Sequence, residues 1–64
     1  MPNYVAVAKA NASKLEDALK TLALSFTGGF GAAEVSKYLH KNDVPHVVVD
    51  NIKDVPAGHT YSEH

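Results

Sequence analysis

The stretch Thr27-Gly28-Gly29-Phe30-Gly31 decides the fold, because it separates two segments that each carry a helical pattern of apolar residues. Three of the four glycines of the chain lie within these five residues. Glycine readily adopts the left-handed conformation that ends many helices, and we expect Gly28 to do so here. The sequence therefore predicts a sharp connection between two helices.

The helix before this break is predicted to span Lys14 to Phe26, since its apolar residues recur at the spacing of one helical face. Ser13 and Glu16 have the spacing of a capping box, so the helix should begin beside them. Leu24 falls off the apolar stripe and is either a singly exposed residue or part of a second contact surface. After the break, the same spacing predicts a second helix from Ala32 to Lys41.

Strands are predicted on both sides of the helical pair. Tyr4 to Ala10 alternates in the manner of a strand. His46 to Asn51 contains three successive valines after a proline, which favours a strand buried on both faces. Two strands make a weak sheet, so we expect a third short strand after Gly58, strand pairing across a dimer, or both. Residues 62–64 are expected to be frayed.

These elements predict an α+β fold: a small two-layer β-α-α-β domain with two helices on a two- or three-stranded sheet. A single domain covers residues 1–64, with an ordered core of about 3–61. The predicted core is Val5, Val7, Leu15, Leu19, Leu22, Phe26, Val35, Leu39, Val47 and Val49.

Size and composition bear on partners and compartment. A chain of 64 residues buries a modest core, and with no cysteine it can use neither disulfides nor thiolate zinc sites for stability. We therefore expect a homodimer. The net charge of -1 provides no general attraction for phosphate backbones. Because we find no signal peptide and no apolar run of membrane-spanning length, we expect a cytoplasmic protein without membrane contact.

Four histidines raise the question of a metal site. If the last strand is extended, His59, Tyr61 and Glu63 share a face that could meet His46. The alternative is that the histidines lie on the surface, and this is our expectation, since the sequence supplies ligand types without ligand geometry. We predict no metal and no cofactor.

The run Gly28-Gly29-Phe30-Gly31, placed between two helices and flanked by strands, resembles the GxxG loop of the KH family of single-strand nucleic-acid binders. The resemblance implies that Gly28 and Gly31 let a nucleotide backbone approach, with Gly29 and Phe30 between them. The other interpretation is a helix connection with a glycine cap and Phe30 folded onto the core.

Two further resemblances concern DNA-binding families. Ala32 to Leu39 is similar to the first helix of an excisionase-type helix-turn-helix, which implies a recognition helix over Pro45 to Lys53 and a wing over Pro56 to Tyr61. The strand-helix-helix order of Tyr4 to Lys41 resembles the ribbon-helix-helix family, in which Lys9 would be the groove-reading residue.

No cysteine is present and no serine lies in a nucleophile-elbow pattern, so we expect a protein that is not an enzyme. The expected function is a small regulatory module that acts through contacts with a protein partner. A nucleic-acid binder is the alternative. The candidate contact residues are Gly28, Gly29, Phe30, Gly31, Lys37, His40 and Lys41.

Overall fold

The computed structural model describes residues 2–64. Two helices pack with a three-stranded antiparallel sheet, which confirms the α+β prediction. The strands are β1 (Tyr4–Ala8), β2 (Val47–Val49) and β3 (His59–Glu63), and the helices are α1 (Ala12–Ser25) and α2 (Ala32–Lys41). Single 3-10 turns occupy Lys9–Asn11 and Ile52–Asp54.

Strand β1 lies at the centre of the sheet, which has the order β2-β1-β3. Tyr4 is opposite Val49 on one side and Glu63 on the other, and Ala6 is opposite Val47 and Tyr61. Both pairings are antiparallel. Strand β1 therefore lies between two strands that come much later in the sequence.

The two faces of the sheet have different surroundings. Val5 and Val7 are fully buried and belong to the core cluster with residues of both helices. Alternate residues of a strand point to opposite faces, so Ala6 points away from the helices, as do its cross-strand partners. We call this second surface the open face; it comprises Tyr4, Ala6, Ala8, Val47, Val49, His59, Tyr61 and Glu63.

The helix ends differ from the sequence prediction. Helix α1 begins at Ala12, directly after a 3-10 turn, and no side chain caps it, so the predicted box of Ser13 and Glu16 is wrong. A glutamate caps α2 instead, because Oε1 of Glu34 accepts a hydrogen bond from the Gly31 amide at 2.7 Å. In the connection it is Gly29, with φ +98°, that takes the positive φ expected of Gly28.

The predicted core is confirmed at Val5, Val7, Leu15, Leu22, Val35 and Leu39, whereas Leu19 and Val49 are only partly buried and Phe26 and Val47 are exposed. Phe26 is 45% exposed, because α1 ends at Ser25 and the chain turns before the ring can reach the interior. Val47 and Val48 are also exposed. They lie in β2, an edge strand with one neighbour, so the prediction of a strand buried on both faces is wrong. Four buried residues were not predicted: Ala6, Ala18, Ala32 and Val44.

The C-terminal residues differ from the expectation of fraying. The third strand expected after Gly58 is present as β3 and extends to Glu63. Beyond it, the His64 amide donates to the Asn3 carbonyl at 2.8 Å, and the Asn3 amide donates to the His64 carbonyl at 2.7 Å. The ladder with β1 therefore continues past the strand itself.

Two of the implied DNA-binding architectures do not fit this topology. Pro45 to Lys53 contains β2 and the start of a 3-10 turn, so no recognition helix forms there. A ribbon-helix-helix dimer needs a first strand that is free to pair with a second copy. Here β1 has strands on both sides within one chain.

Replacing a buried leucine should destabilise the domain far more than the same change at an exposed one. Leu39 is fully buried, and we expect Leu39→Ala to lower the free energy of unfolding by about 2–5 kcal/mol, the usual range for such a cavity. Leu24 is 85% exposed, and Leu24→Ala should change the free energy of unfolding by less than about 0.5 kcal/mol. Urea denaturation followed by circular dichroism measures the free energy of unfolding of both variants. Equal losses of stability would contradict the burial of Leu39 and the exposure of Leu24.

Candidate functional site

A groove between the end of α1 and the length of α2 combines apolar and charged side chains on one concave surface. It has a volume of about 400 Å³, compared with about 170 Å³ and 340 Å³ for two other surface hollows. Most of its lining is apolar. We call it the interhelical groove; its residues are Leu22, Phe26, Glu34, Lys37, Tyr38 and Lys41.

The geometry of the helices produces this surface. Each of the four α2 residues in the groove lies three or four positions from another of them, although two are adjacent, so all four lie along one side of that helix. Leu22 is buried at the floor, and Phe26 lies one turn later, where its amide donates to the Leu22 carbonyl at 2.9 Å. The Phe26 ring therefore remains at the groove with nearly half of its surface exposed.

The charges at the groove are predominantly positive. Lys37 and Lys41 are exposed and lie one helical turn apart. Glu34 is the acidic residue of the lining, and one of its carboxylate oxygens accepts the Gly31 hydrogen bond. An apolar floor beside two ammonium groups can bind a ligand that combines an apolar side chain with negative charge.

The glycine connection lies beside the groove but offers little that would hold a phosphate. Open space surrounds Gly28 and Gly29: a Cβ atom added to either glycine would have no atom within 4 Å, apart from those of the adjacent residues. The Gly31 amide is already bonded to a carboxylate. Phe30 packs against the core cluster, with its ring 5.5 Å from that of His64. This placement agrees with the interpretation that folds Phe30 onto the core.

The structure thus brings together only some of the predicted contact residues. Lys37 and Lys41 lie in the interhelical groove, whereas His40 lines a separate shallow hollow with Asp43, Pro45 and His46 among its neighbours. Sequence reasoning missed Phe26 and Tyr38 as groove residues. Phe26 precedes Thr27 and Gly28, and that position at a helix end was the signal that its side chain would not be enclosed.

Ser36 and His46 form a polar pair between α2 and the start of β2. His46 Nδ1 lies 2.9 Å from the Val44 carbonyl, which can only accept, so Nδ1 carries the proton in that bond. In the neutral ring Nε2 then accepts from the Ser36 hydroxyl at 2.7 Å. Ser36 lies in the middle of α2, where backbone amides are engaged in helical hydrogen bonds and provide no oxyanion site. We assign the pair the role of holding β2 to the helix.

The histidines do not converge as a metal site would require. His59 lies on the open face with Tyr61 and Glu63, as predicted, but His46 points to the helix side, where it meets Ser36. Within residues 2–64 no group of three or more histidine, cysteine, aspartate or glutamate residues is placed to hold a metal ion.

Aromatic and acidic side chains meet on the open face. The rings of Tyr4 and Tyr61 are 5.7 Å apart in an edge-to-face arrangement. Desolvation raises the pKa of Tyr4 above its ordinary value, and the adjacent Glu63 carboxylate raises it further. On the other face, partial burial lowers the pKa of His64, whose Nε2 lies 2.9 Å from the Ser62 hydroxyl.

Comparisons with other proteins give no relative. The chain matches no model of a protein family, no curated protein and no solved structure. In residues 2–64, neither helix has the length and apolar character needed to cross a membrane.

Neutralising Glu63 should lower the pKa of Tyr4. Glu63→Gln removes a negative charge that disfavours the phenolate, so the phenolate should form at lower pH than in the unchanged protein, while desolvation keeps part of the upward shift. A raised pKa means that stability is present below the ordinary tyrosine value and falls as pH rises through the folded-state value. Ultraviolet titration of the phenolate in a Tyr38→Phe, Tyr61→Phe background isolates Tyr4, and an unchanged titration would contradict the contact.

Proposed function

We propose that this protein is a small non-enzymatic interaction module of the cytoplasm, with a regulatory role, that binds a protein partner through the interhelical groove and acts as a homodimer. The observation that supports the groove is the joining of Phe26 and Tyr38 with Lys37 and Lys41 on one concave surface. The proposed partner segment is a short acidic peptide with an apolar anchor. Its anchor would cover the exposed part of the Phe26 ring, and its carboxylates would face the two lysines.

The size of the groove suits a short segment. A volume of about 400 Å³ lies near the lower end of the range for small-ligand pockets. It would accommodate one or two anchoring side chains. Interfaces of this kind concentrate their affinity in a few aromatic and charged residues, and rim charges mainly increase the rate of association. We expect Phe26 to contribute most to affinity and the lysines to select acidic partners.

A peptide series tests this proposal. The probes are short peptides in which aspartate and glutamate alternate with leucine and phenylalanine, together with counterparts in which every acidic residue is replaced by lysine. The acidic peptides should shift the backbone amide resonances of Phe26, Lys37 and Tyr38, and Phe26→Ala should weaken binding by about tenfold or more. Equal binding of the lysine counterparts, or shifts confined to another surface, would contradict the proposal.

Charge reversal provides the matched control for these peptides. Lys37→Glu combined with Lys41→Glu should abolish the preference for acidic peptides, because it reverses the charge at the groove. Lys9→Glu combined with Lys53→Glu makes the same change of net charge outside the groove lining and should leave that preference intact. If both double variants lose binding equally, the effect comes from net charge rather than from the groove.

A single-stranded nucleic acid is the alternative ligand class. In its favour, Lys37, His40 and Lys41 are exposed on α2 and the space around Gly28 and Gly29 is open. Against it, residues 27–31 contain no basic side chain, and the Glu34 carboxylate lies at the Gly31 amide that a phosphate would use. These observations favour a peptide over a single-stranded nucleic acid as the ligand.

A salt titration separates the two ligand classes. Under the peptide proposal, single-stranded and duplex oligonucleotides should show no salt-dependent binding at low ionic strength. If binding occurs, Gly28→Asp tests the loop, since Gly28 has open space around it and no positive φ. Gly29 is unsuitable for that test, because an aspartate at φ +98° would strain the backbone. Oligonucleotide binding that Gly28→Asp abolishes in a folded protein would favour the KH-like function instead.

A further inference from the structure

We infer that the free edge of β3 pairs with β3 of a second copy in antiparallel orientation, with a twofold axis at Tyr61. The two three-stranded sheets would then join into one sheet of six strands. This inference rests on the proposed homodimer and assigns its interface. Three features favour this pairing: the direction of the backbone groups of β3, the order of its side chains and the contrast with the other edge of the sheet.

The hydrogen bonds at both ends of β3 show which residues face outward. Asn3 and His64 exchange two bonds with each other, and the Lys9 amide donates to the Gly58 carbonyl at 3.0 Å. In an antiparallel ladder only every second residue bonds to a given neighbouring strand. Residues 58, 60, 62 and 64 therefore bond to β1, and His59, Tyr61 and Glu63 direct their amide and carbonyl groups away from the sheet.

One register satisfies all of these outward groups. When Tyr61 is opposite Tyr61 of the second copy, His59 is opposite Glu63 in both directions. The three outward residues of each strand then meet the three of the other, and each opposed pair exchanges two hydrogen bonds. Moving the axis to Glu63 would place like charges opposite each other and leave most of the strand unpaired.

The side chains along the edge fit the same register. Between the copies, each imidazole of His59 would lie opposite a Glu63 carboxylate, so no like charges face each other in this register. At the centre the two Tyr61 rings would meet. Tyr61 already contacts Tyr4 within one chain, so the pairing would create a continuous row of four tyrosines across the joined open face.

The two edges of the sheet differ in how they are protected. Strand β2 has three residues, follows Pro45 closely and leads into a 3-10 turn. Only Val48 directs its backbone groups outward there, because Val47 and Val49 bond to β1. Strand β3 has five paired residues without the proline or lysine that commonly protect edges. A second strand therefore finds a longer and more regular template at β3.

Backbone N-methylation tests the interface without changing any side chain. In chains made by chemical synthesis, methylation at the Tyr61 amide should weaken dimerisation by about tenfold or more, because each dimer loses two hydrogen bonds. The matched control is methylation at the Val48 amide, which also points outward but on the other edge. Sedimentation equilibrium gives the dimer dissociation constants, and circular dichroism establishes that both chains fold.

The outcomes distinguish this inference from the proposed function. A wild-type protein that stays monomeric at all concentrations would overturn both the dimer and its interface, whereas binding of acidic peptides to the groove would be measured independently. A dimer that tolerates methylation at Tyr61 as well as methylation at Val48 would overturn the interface and leave the dimer. Weaker dimerisation after methylation at Tyr61, with no effect of methylation at Val48, supports the β3 pairing.

Charge exchange offers a second test with recombinant protein. Glu63→Lys should raise the dimer dissociation constant several-fold, since it replaces the carboxylate opposite His59 with an ammonium group at both ends of the pairing. Adding His59→Glu in the same chain places opposite charges against each other in the same register, so affinity should return. Circular dichroism establishes that both variants fold. If the folded double variant does not regain dimer affinity, this register is wrong.

Discussion

The structure depends on the position of β1, the one strand that pairs on both sides. Val5 and Val7 of this strand are fully buried against the helices, and Ala6 between them is fully buried on the opposite face. Within residues 2–64, no other strand has neighbours on two edges. A polar residue at any of these three positions would be enclosed without a guaranteed hydrogen-bonding partner, which is among the larger penalties in a small core.

The elements that local sequence determines could be predicted, and those that depend on strand order could not. Helix α2 was predicted at its observed limits, because its apolar spacing and the glycine break before it act only on nearby residues. The exposure of Val47 and Val48 follows from which strand lies at the centre, and apolar content alone does not contain that information. For the candidate site, Lys37 and Lys41 were identified by charge. Phe26 was not, since its role depends on where α1 ends relative to α2.

The two proposed surfaces belong to different layers and share no residue. The interhelical groove uses side chains of α1, α2 and the residue after α1, whereas the β3 edge offers mainly backbone groups. Side chains can be exchanged individually, so the groove is suited to distinguishing partners. Backbone groups are the same for every sequence, and the β3 edge obtains its specificity from the order of His59, Tyr61 and Glu63. Under the two proposals, substitutions in the groove would change what the protein binds without changing how it assembles.

The central position of β1 also affects how the chain folds during synthesis. Tyr4–Ala8 leaves the ribosome well before its partners Val47–Val49 and His59–Glu63. The helices between them can form from local contacts, but the strand at the heart of the sheet must wait for its neighbours. Closing such distant contacts is entropically unfavourable and slows folding. Strand β1, whose Val5, Ala6 and Val7 are fully buried in the folded domain, therefore has neither of its partners until β2 and then β3 emerge.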